Sequence, residues 1–405
     1  MGVRRSQVWP KSYIGPQACA LEFMPMKTFH CSTCQNLVFF ENVRCLKCGD
    51  SLAYLPDRAA MAALRQGADG LWYSTEPKDG TQAYKLCVNY LRQDVCNWAV
   101  PQNDPLDLCY SCRLTRVIPN LTPENHASWY RLESAKRRLV YSLLSLRLPL
   151  ERQDAATPRG VSFSFLEDST QANGDRRRVL TGHDNGLITI NISEADDVWR
   201  EQQRLRQHEP YRTLLGHFRH EIGHYYWDRL IAGTPQLDAF RARFGDERAD
   251  YNAALARHYE NGPPADWETR FVSAYATAHP WEDWAESWAH FMHMADALET
   301  AGAVGISLTP QRRDEPMLTR TEESFQSLID GFDQMIERWL PLTYMLNNLN
   351  RGLGLADGYP FVLSATVVEK LRFVHDTVVH SATSTQAPDA DAIANPEPVL
   401  RRGVA

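Results

Sequence analysis

His220-Glu221-Ile222-Gly223-His224 spells His-Glu-x-x-His inside a stretch with helical periodicity. Around it Leu214, Leu215, Phe218, Ile222, Tyr225, Tyr226 and Leu230 recur at three- and four-residue steps. Pro210 stands ahead of them and Gly233-Thr234-Pro235 behind, so the sequence predicts one helix over 211–231. On such a helix the two histidines are one turn apart on the same face, and both imidazoles can reach one ion at about 2.1 Å. The pentapeptide therefore offers two metal ligands, His220 and His224, and places the carboxylate of Glu221 beside an open coordination position, where a base belongs.

Tetrahedral zinc of this kind needs a third protein ligand from elsewhere in the chain. Asp228 is excluded, because it lies about 12 Å along the helix axis from His220. The better stretch is His279-Pro280-Trp281-Glu282-Asp283-Trp284-Ala285-Glu286-Ser287-Trp288. Pro280 suits the first position of a second helix, along which Trp281, Trp284, Trp288, Phe291 and Ala295 form an apolar stripe. Glu282 and Glu286 then share a face. Such a pair suits one direct ligand and one acceptor that orients a ligating histidine. A solvated acidic face is the competing reading, and the aromatic flanks argue against it.

A second metal signature lies near the N-terminus. Cys31-x-x-Cys34 and Cys45-x-x-Cys48 are two knuckles whose spacing lets four thiolates close around one structural zinc. Cys87, Cys96, Cys109 and Cys112 form a further quartet, with only the last pair in knuckle spacing. A disulfide framework would need an oxidising compartment, and no export signal is visible. Of the 9 cysteines only Cys19 is left over. Met24 and Met26 precede the first knuckle closely, so translation starting at either would leave Cys19 in an extension without a fold.

His-Glu-x-x-His followed by Glu282-x-x-Ala285-Glu286 resembles the gluzincin arrangement. With the cysteine knuckles, the spelling from Trp281 to Trp288 is similar to a bacterial family of zinc-binding metallopeptidases carrying an N-terminal zinc ribbon. The resemblance implies Glu282 as metal ligand, Glu286 as the carboxylate behind a histidine, and a zinc at the second cysteine quartet. Anthrax lethal factor is similar over the two motifs alone, and it has an oxyanion-stabilising tyrosine at the offset from its ligand glutamate at which Tyr275 stands here. A phenol so placed would contribute about 3 kcal/mol to the transition state. The implied activity is zinc-dependent hydrolysis of peptide bonds, the implied cofactor Zn2+, and the implied partner a peptide or protein substrate.

The expected fold class is α+β: a mainly helical zincin-like metallopeptidase domain with a small sheet, preceded by small four-cysteine zinc-ribbon modules. With 405 residues and a net charge of −7, the chain has room for two or three domains and no bias toward a polyanion. Basic residues of the ribbon region are nearly matched by acidic ones, so nucleic acid is not expected and a protein partner fits the ribbons better. No apolar run would span a membrane, and a cytoplasmic location is expected. We divide the chain into a disordered extension over 1–25, a ribbon region over 26–120, the zincin-like domain over 121–380 and a disordered tail over 381–405.

Within the third part, Thr122-Pro123-Glu124 opens a helix to Leu146, with Lys136-Arg137-Arg138 read as its solvated face. Strands are expected at 161–165 and 187–192, the latter as a sheet edge on which a peptide could pair unless the protein covers both its sides. Further helices are expected near 321–349 and 364–379. Asn350-Arg351-Gly352-Leu353-Gly354 reads as a turn after a helix, and Tyr359-Pro360-Phe361 as a packed aromatic loop. His217, His279, His290 and His293 read as packed or solvated, with His279 the first choice should one of them donate to a transition state. A different class of function, a ribbon-borne binding module on an inactive peptidase-like scaffold, gives no reason for a base at Glu221.

Overall fold

Short polar turns and paired cysteines break up the N-terminal region, which folds as strands around a small apolar cluster that includes Leu55, Leu64, Tyr84 and Leu86. The computed structural model describes residues 28–76, 82–170, 176–207, 213–308 and 331–384; the expectation for 1–25 lies outside them, as does that for the tail from 385 onward. β1 (Phe29–His30) and β2 (Leu37–Val38) form a hairpin whose turn holds Cys31 and Cys34. A five-stranded antiparallel sheet follows in sequential order: β3 (Ser51–Leu55), β4 (Ala60–Gln66), β5 (Trp72–Ser74), β6 (Ala83–Leu86) and β7 (Ala99–Pro101). Helix α1 (Val88–Gln93) interrupts it between β6 and β7.

Cys112 leads through a short turn directly into β8 (Thr115–Val117), which joins a different sheet. After helix α2 (Pro123–Ser145) the chain returns as β9 (Ser162–Leu166), parallel to β8, as a strand–helix–strand crossover requires. Beyond β9 a small hairpin, β10 (Ser169–Thr170) and β11 (Arg176–Arg177), precedes β12 (Gly182–Asp184) and β13 (Leu187–Asn191). The sheet order is β12-β13-β9-β8, with β13 parallel to β9 and β12 antiparallel to β13. Strand 187–191 is thus interior to the sheet, and among the described residues β12 is the edge strand, in contact with the metal-motif helix.

Thr122 caps α2 by accepting from Asn125 N at 3.2 Å, and Pro123 takes the first position. The helix buries Trp129, Leu132, Leu139 and Leu143, as the periodicity requires. Its basic triplet departs from expectation. Lys136 is fully buried against Glu133 at 2.8 Å, Arg137 is buried and donates to Val95 O, and only Arg138 faces outward, toward Glu41. The reason is topological: the ribbon covers one flank of α2 and the β8–β9 sheet another, so no wide solvent face remains. Tyr141 accordingly packs edge-on against Phe40 and Tyr54 of the ribbon.

The rest is helical: α3 (Asp197–Gln207), α4 (Leu214–Leu230), α5 (Leu237–Phe244), α6 (Tyr251–Asn261), α7 (Pro280–Val304), α8 (Phe332–Gly352) and α9 (Ala365–Ser384). Thr213 caps α4 by accepting from Gly216 N, which starts the helix three residues later than the apolar pattern alone suggests. Gly223 lets α4 and α7 approach closely. A Cβ there would lie 3.1 Å from Ala285 Cα and from Trp288 Cβ, and the Trp284 indole donates to Gly223 O at 2.8 Å. Among the described residues no helix is long and apolar enough to cross a membrane.

Candidate metal centres

The close packing of α4 on α7 sets the distance between the two motifs. His220 Nε2 lies 3.0 Å from Glu282 Oε2, His224 Nε2 lies 3.6 Å from the same oxygen, and the two Nε2 atoms are 3.2 Å apart. Ligands about 2.1 Å from a tetrahedral ion stand about 3.4 Å from one another, so this triangle has the size of three zinc ligands with a fourth position open. Its chemistry fits as well. Glu282 Oε2 is a buried carboxylate oxygen with no hydrogen-bond donor among the described residues, which is costly unless a cation sits beside it.

The tautomer of His220 follows from its other nitrogen. Nδ1 is 2.7 Å from Glu286 Oε1, an acceptor, so Nδ1 carries the proton and Nε2 turns a lone pair into the triangle. Ser273 Oγ donates to Glu286 Oε2 at 2.6 Å and holds that carboxylate in place. Burial by itself would lower the His220 pKa, yet the Glu282 and Glu286 carboxylates raise it well above its ordinary value. Burial likewise opposes ionisation of Glu286, and the His220 contact overcomes it, holding that carboxyl at about 2.

Glu221, adjacent in sequence to His220, is buried, and that burial raises its pKa toward what a base needs at neutral pH. The Tyr275 ring stands 5.9 Å from the His220 ring, and its phenol pKa is driven well up, by burial first and then by Glu282, so it stays a donor. One contact escaped the sequence reading altogether: Tyr251 OH donates to Glu282 Oε1 at 2.5 Å. The other histidines have different partners. His217 sits 3.0 Å from buried Glu194, His290 meets the Tyr359 hydroxyl at 2.7 Å, and His293 Nδ1 faces Arg219 at 3.3 Å. His279 caps α7 and is turned away from the triangle, toward Ala249 O.

Both cysteine quartets are assembled. Sulfur pairs Cys31–Cys48 and Cys34–Cys45 are 3.6 Å apart, and Cys96–Cys109 are 3.7 Å apart. Thiolates about 2.3 Å from a tetrahedral zinc lie about 3.8 Å apart, whereas a disulfide needs about 2.05 Å. All eight are free thiols, each quartet lies within 4.8 Å, and Cys87, Cys96, Cys109 and Cys112 are all buried while Cys48 is exposed. Backbone N–H groups of Trp98, Cys109 and Cys112 point at sulfurs of the second quartet, at 3.3–3.4 Å. The buried guanidinium of Arg137 supplies positive charge beside it; burial opposes that charge, but the neighbouring thiolates raise the Arg137 pKa.

Two four-cysteine clusters ahead of a helical domain that brings together two histidines and a glutamate define a zinc-ribbon protein of the metallopeptidase class. Comparison with known proteins gives the family. The family model described as "Putative zinc-binding metallo-peptidase" matches residues 125–377, and a zinc-ribbon domain model matches residues 28–123. The chain belongs to this metallopeptidase family. Similar chains, named uncharacterized proteins, occur in Mycobacterium bovis and in two strains of Mycobacterium tuberculosis, each 43% identical over 355 residues that cover 87% of this chain and 95% of theirs. No solved structure matches.

Proposed function

We propose that this protein is a zinc-dependent peptidase that hydrolyses peptide bonds in a peptide or protein substrate. The observation that carries the reading is the triangle of His220, His224 and Glu282, its size matched to zinc, with the buried Glu221 next to His220 in the chain. Zinc held by His220, His224 and Glu282 would supply Lewis-acid polarisation of the scissile carbonyl and activation of a water, whose pKa such a site brings to about 7. Glu221 takes that water's proton and passes it to the departing amine nitrogen. Tyr275 donates its phenolic proton in a hydrogen bond to the oxygen on which negative charge develops. Glu286 keeps Nδ1–H of His220 engaged, so that Nε2 stays available to the metal.

In this reading the edge strand β12, beside α4, takes an extended substrate by backbone pairing and would bring a scissile carbonyl to the His–Glu site. Cys31, Cys34, Cys45 and Cys48 hold one structural zinc and Cys87, Cys96, Cys109 and Cys112 a second, and the ribbons also meet a protein partner. We place the protein in the cytoplasm, where eight free thiols stay reduced.

Glu221→Gln tests the mechanism. It should keep the fold and all the zinc and lower amide hydrolysis by about 10²-fold or more, the contribution of a general base. Peptide products read by mass spectrometry, with binding followed in parallel, check this. Unchanged cleavage with zinc present at the site would remove Glu221 as the base, and unchanged binding without cleavage in either protein would favour a scaffold.

A further inference from the structure

We infer that Tyr251 is a positioning residue that commits Glu282 to zinc through one oxygen only. The inference rests on the metal site proposed above. Glu282 is 1% exposed, so bulk water cannot satisfy either of its oxygens. Oε2 faces His220 and His224, and Oε1 accepts from the Tyr251 hydroxyl at 2.5 Å. A carboxylate near zinc chooses between one-oxygen and two-oxygen contact at little cost in energy. A phenol donating to Oε1 biases that choice toward one oxygen, since it draws on the electron density that a second contact would need. The fourth coordination position then remains for the reacting water.

The phenol is itself held from two sides. Tyr251 opens α6 directly after its cap Asp250, which accepts from Ala253 N at 2.9 Å. Its ring packs edge-on against His279 at 5.2 Å and against Trp281 at 5.9 Å, both at the start of the helix that carries Glu282. His279 adds a clamp. Its Nδ1 accepts from Trp281 N, so its Nε2 carries the proton and donates to Ala249 O at 3.1 Å, two residues before Tyr251. The segment bearing the phenol is thereby tied to the turn bearing the ligand. This also gives His279 a role other than transition-state donation.

The test uses full-length protein with its cysteine-bound zinc retained, from which mild chelation has removed the remaining zinc. Zinc affinity is measured on reloading, and cobalt is substituted at the same site for its visible spectrum. Tyr251→Phe should weaken zinc by about 10–100-fold, the usual cost of losing a group behind a ligand. Its cobalt spectrum should lose intensity as a four-coordinate ion gains a fifth contact. Tyr344→Phe, which removes an exposed phenol of α8, should leave both readouts unchanged. A Tyr251→Phe affinity within twofold of wild type with an unaltered cobalt spectrum would overturn the inference. If Tyr251→Phe melts early in the metal-free state, His279→Asn decides instead, because it keeps a capping oxygen while removing the ring that packs on Tyr251 and donates to Ala249 O: weaker zinc supports the inference, and unchanged zinc overturns it. Failure of wild-type protein to take zinc at all after chelation would count against the site itself. A flat Tyr251 arm on a zinc-loaded site counts against this inference alone.

Discussion

A neutral imidazole has one N–H, and His220 faces two carboxylates. With Nδ1–H given to Glu286, Nε2 meets Glu282 Oε2 at 3.0 Å as lone pair against lone pair unless a cation, proton or metal, joins them. At the proposed site a proton and a zinc ion would therefore compete for one atom. Glu282 and Glu286 raise the His220 pKa against the effect of burial, which strengthens the proton's side of that competition. Zinc affinity at this site should fall about tenfold per pH unit as pH drops, one proton being displaced per metal bound. In Glu286→Gln the His220 pKa drops, so the slope should flatten although affinity at neutral pH is about 10–100-fold lower. Glu282→Gln should nearly abolish zinc there. The opposite ranking of the two variants in metal titrations would exchange their roles. At this scale the sequence was most legible, because helical spacing alone puts His220 with His224 and Glu282 with Glu286. Tyr251 was not legible: it stands in a separate short helix, and nothing in its neighbourhood marks a phenol as facing a carboxylate.

Between elements, the distance from α4 to α7 decides whether the two motifs meet. Gly223, inside the pentapeptide, lies at a close approach of the two helices, and an added methyl would need a few tenths of an ångström of separation or a tilt. Gly223→Ala should cost about 1–3 kcal/mol of stability, as overpacking does, and weaken zinc at the His–Glu site while leaving cysteine-bound zinc in place. Thermal melting with metal counting per chain separates the two effects. The same helix interface carries a pH response. Burial, against the pull of Glu286, holds His290 neutral down to about 4, and burial with Arg219 holds His293 neutral to about 3. Both folded values lie below the ordinary 6.5, so their contribution to stability is full above that pH and is lost progressively as pH falls from about 6.5 to about 4 for His290 and to about 3 for His293. Each loses up to about 1.4 kcal/mol per pH unit in that window. His293→Gln should lessen the fall of melting temperature with acid, measured on chelated protein so that zinc loss does not contribute. The sequence predicted α2, α4 and α7 well, since caps and periodicity are local. It missed the parallel run β8-β9-β13, in which register depends on partners far away in the chain.

Across the whole molecule, the ribbon and the helical domain are built into each other. β8 leaves the second cysteine quartet and forms the border strand of the sheet whose opposite edge, β12, lies beside the metal-motif helix. Lys136 and Glu133 are sealed under Thr115 of β8, and Arg137 is sealed under Val95 and the thiolates. Charges read as solvated from a Lys-Arg-Arg triplet were in fact the join, which no local pattern reveals because the cover comes from another part of the chain. One consequence is an order of zinc loss under a chelator: first the His–Glu site with its open position, then the quartet containing exposed Cys48, and last the buried quartet. A sharper consequence concerns separability. A chain beginning at residue 121 would keep every residue of the His–Glu site, yet it would lose β8 and the ribbon partners of Tyr141. The apolar flank of α2 would then be in water, and Lys136 and Glu133 would have lost the hydroxyl that joins them. That fragment should fail to unfold cooperatively and should bind the third zinc poorly, whereas Cys112→Ser in the full chain should lower the melting temperature of the helical domain along with that of the ribbon. A soluble 121–405 fragment with a sharp melt and wild-type zinc affinity would show instead that the ribbon is an appendage, and that the buried charges of α2 tolerate water as well as they tolerate the fold.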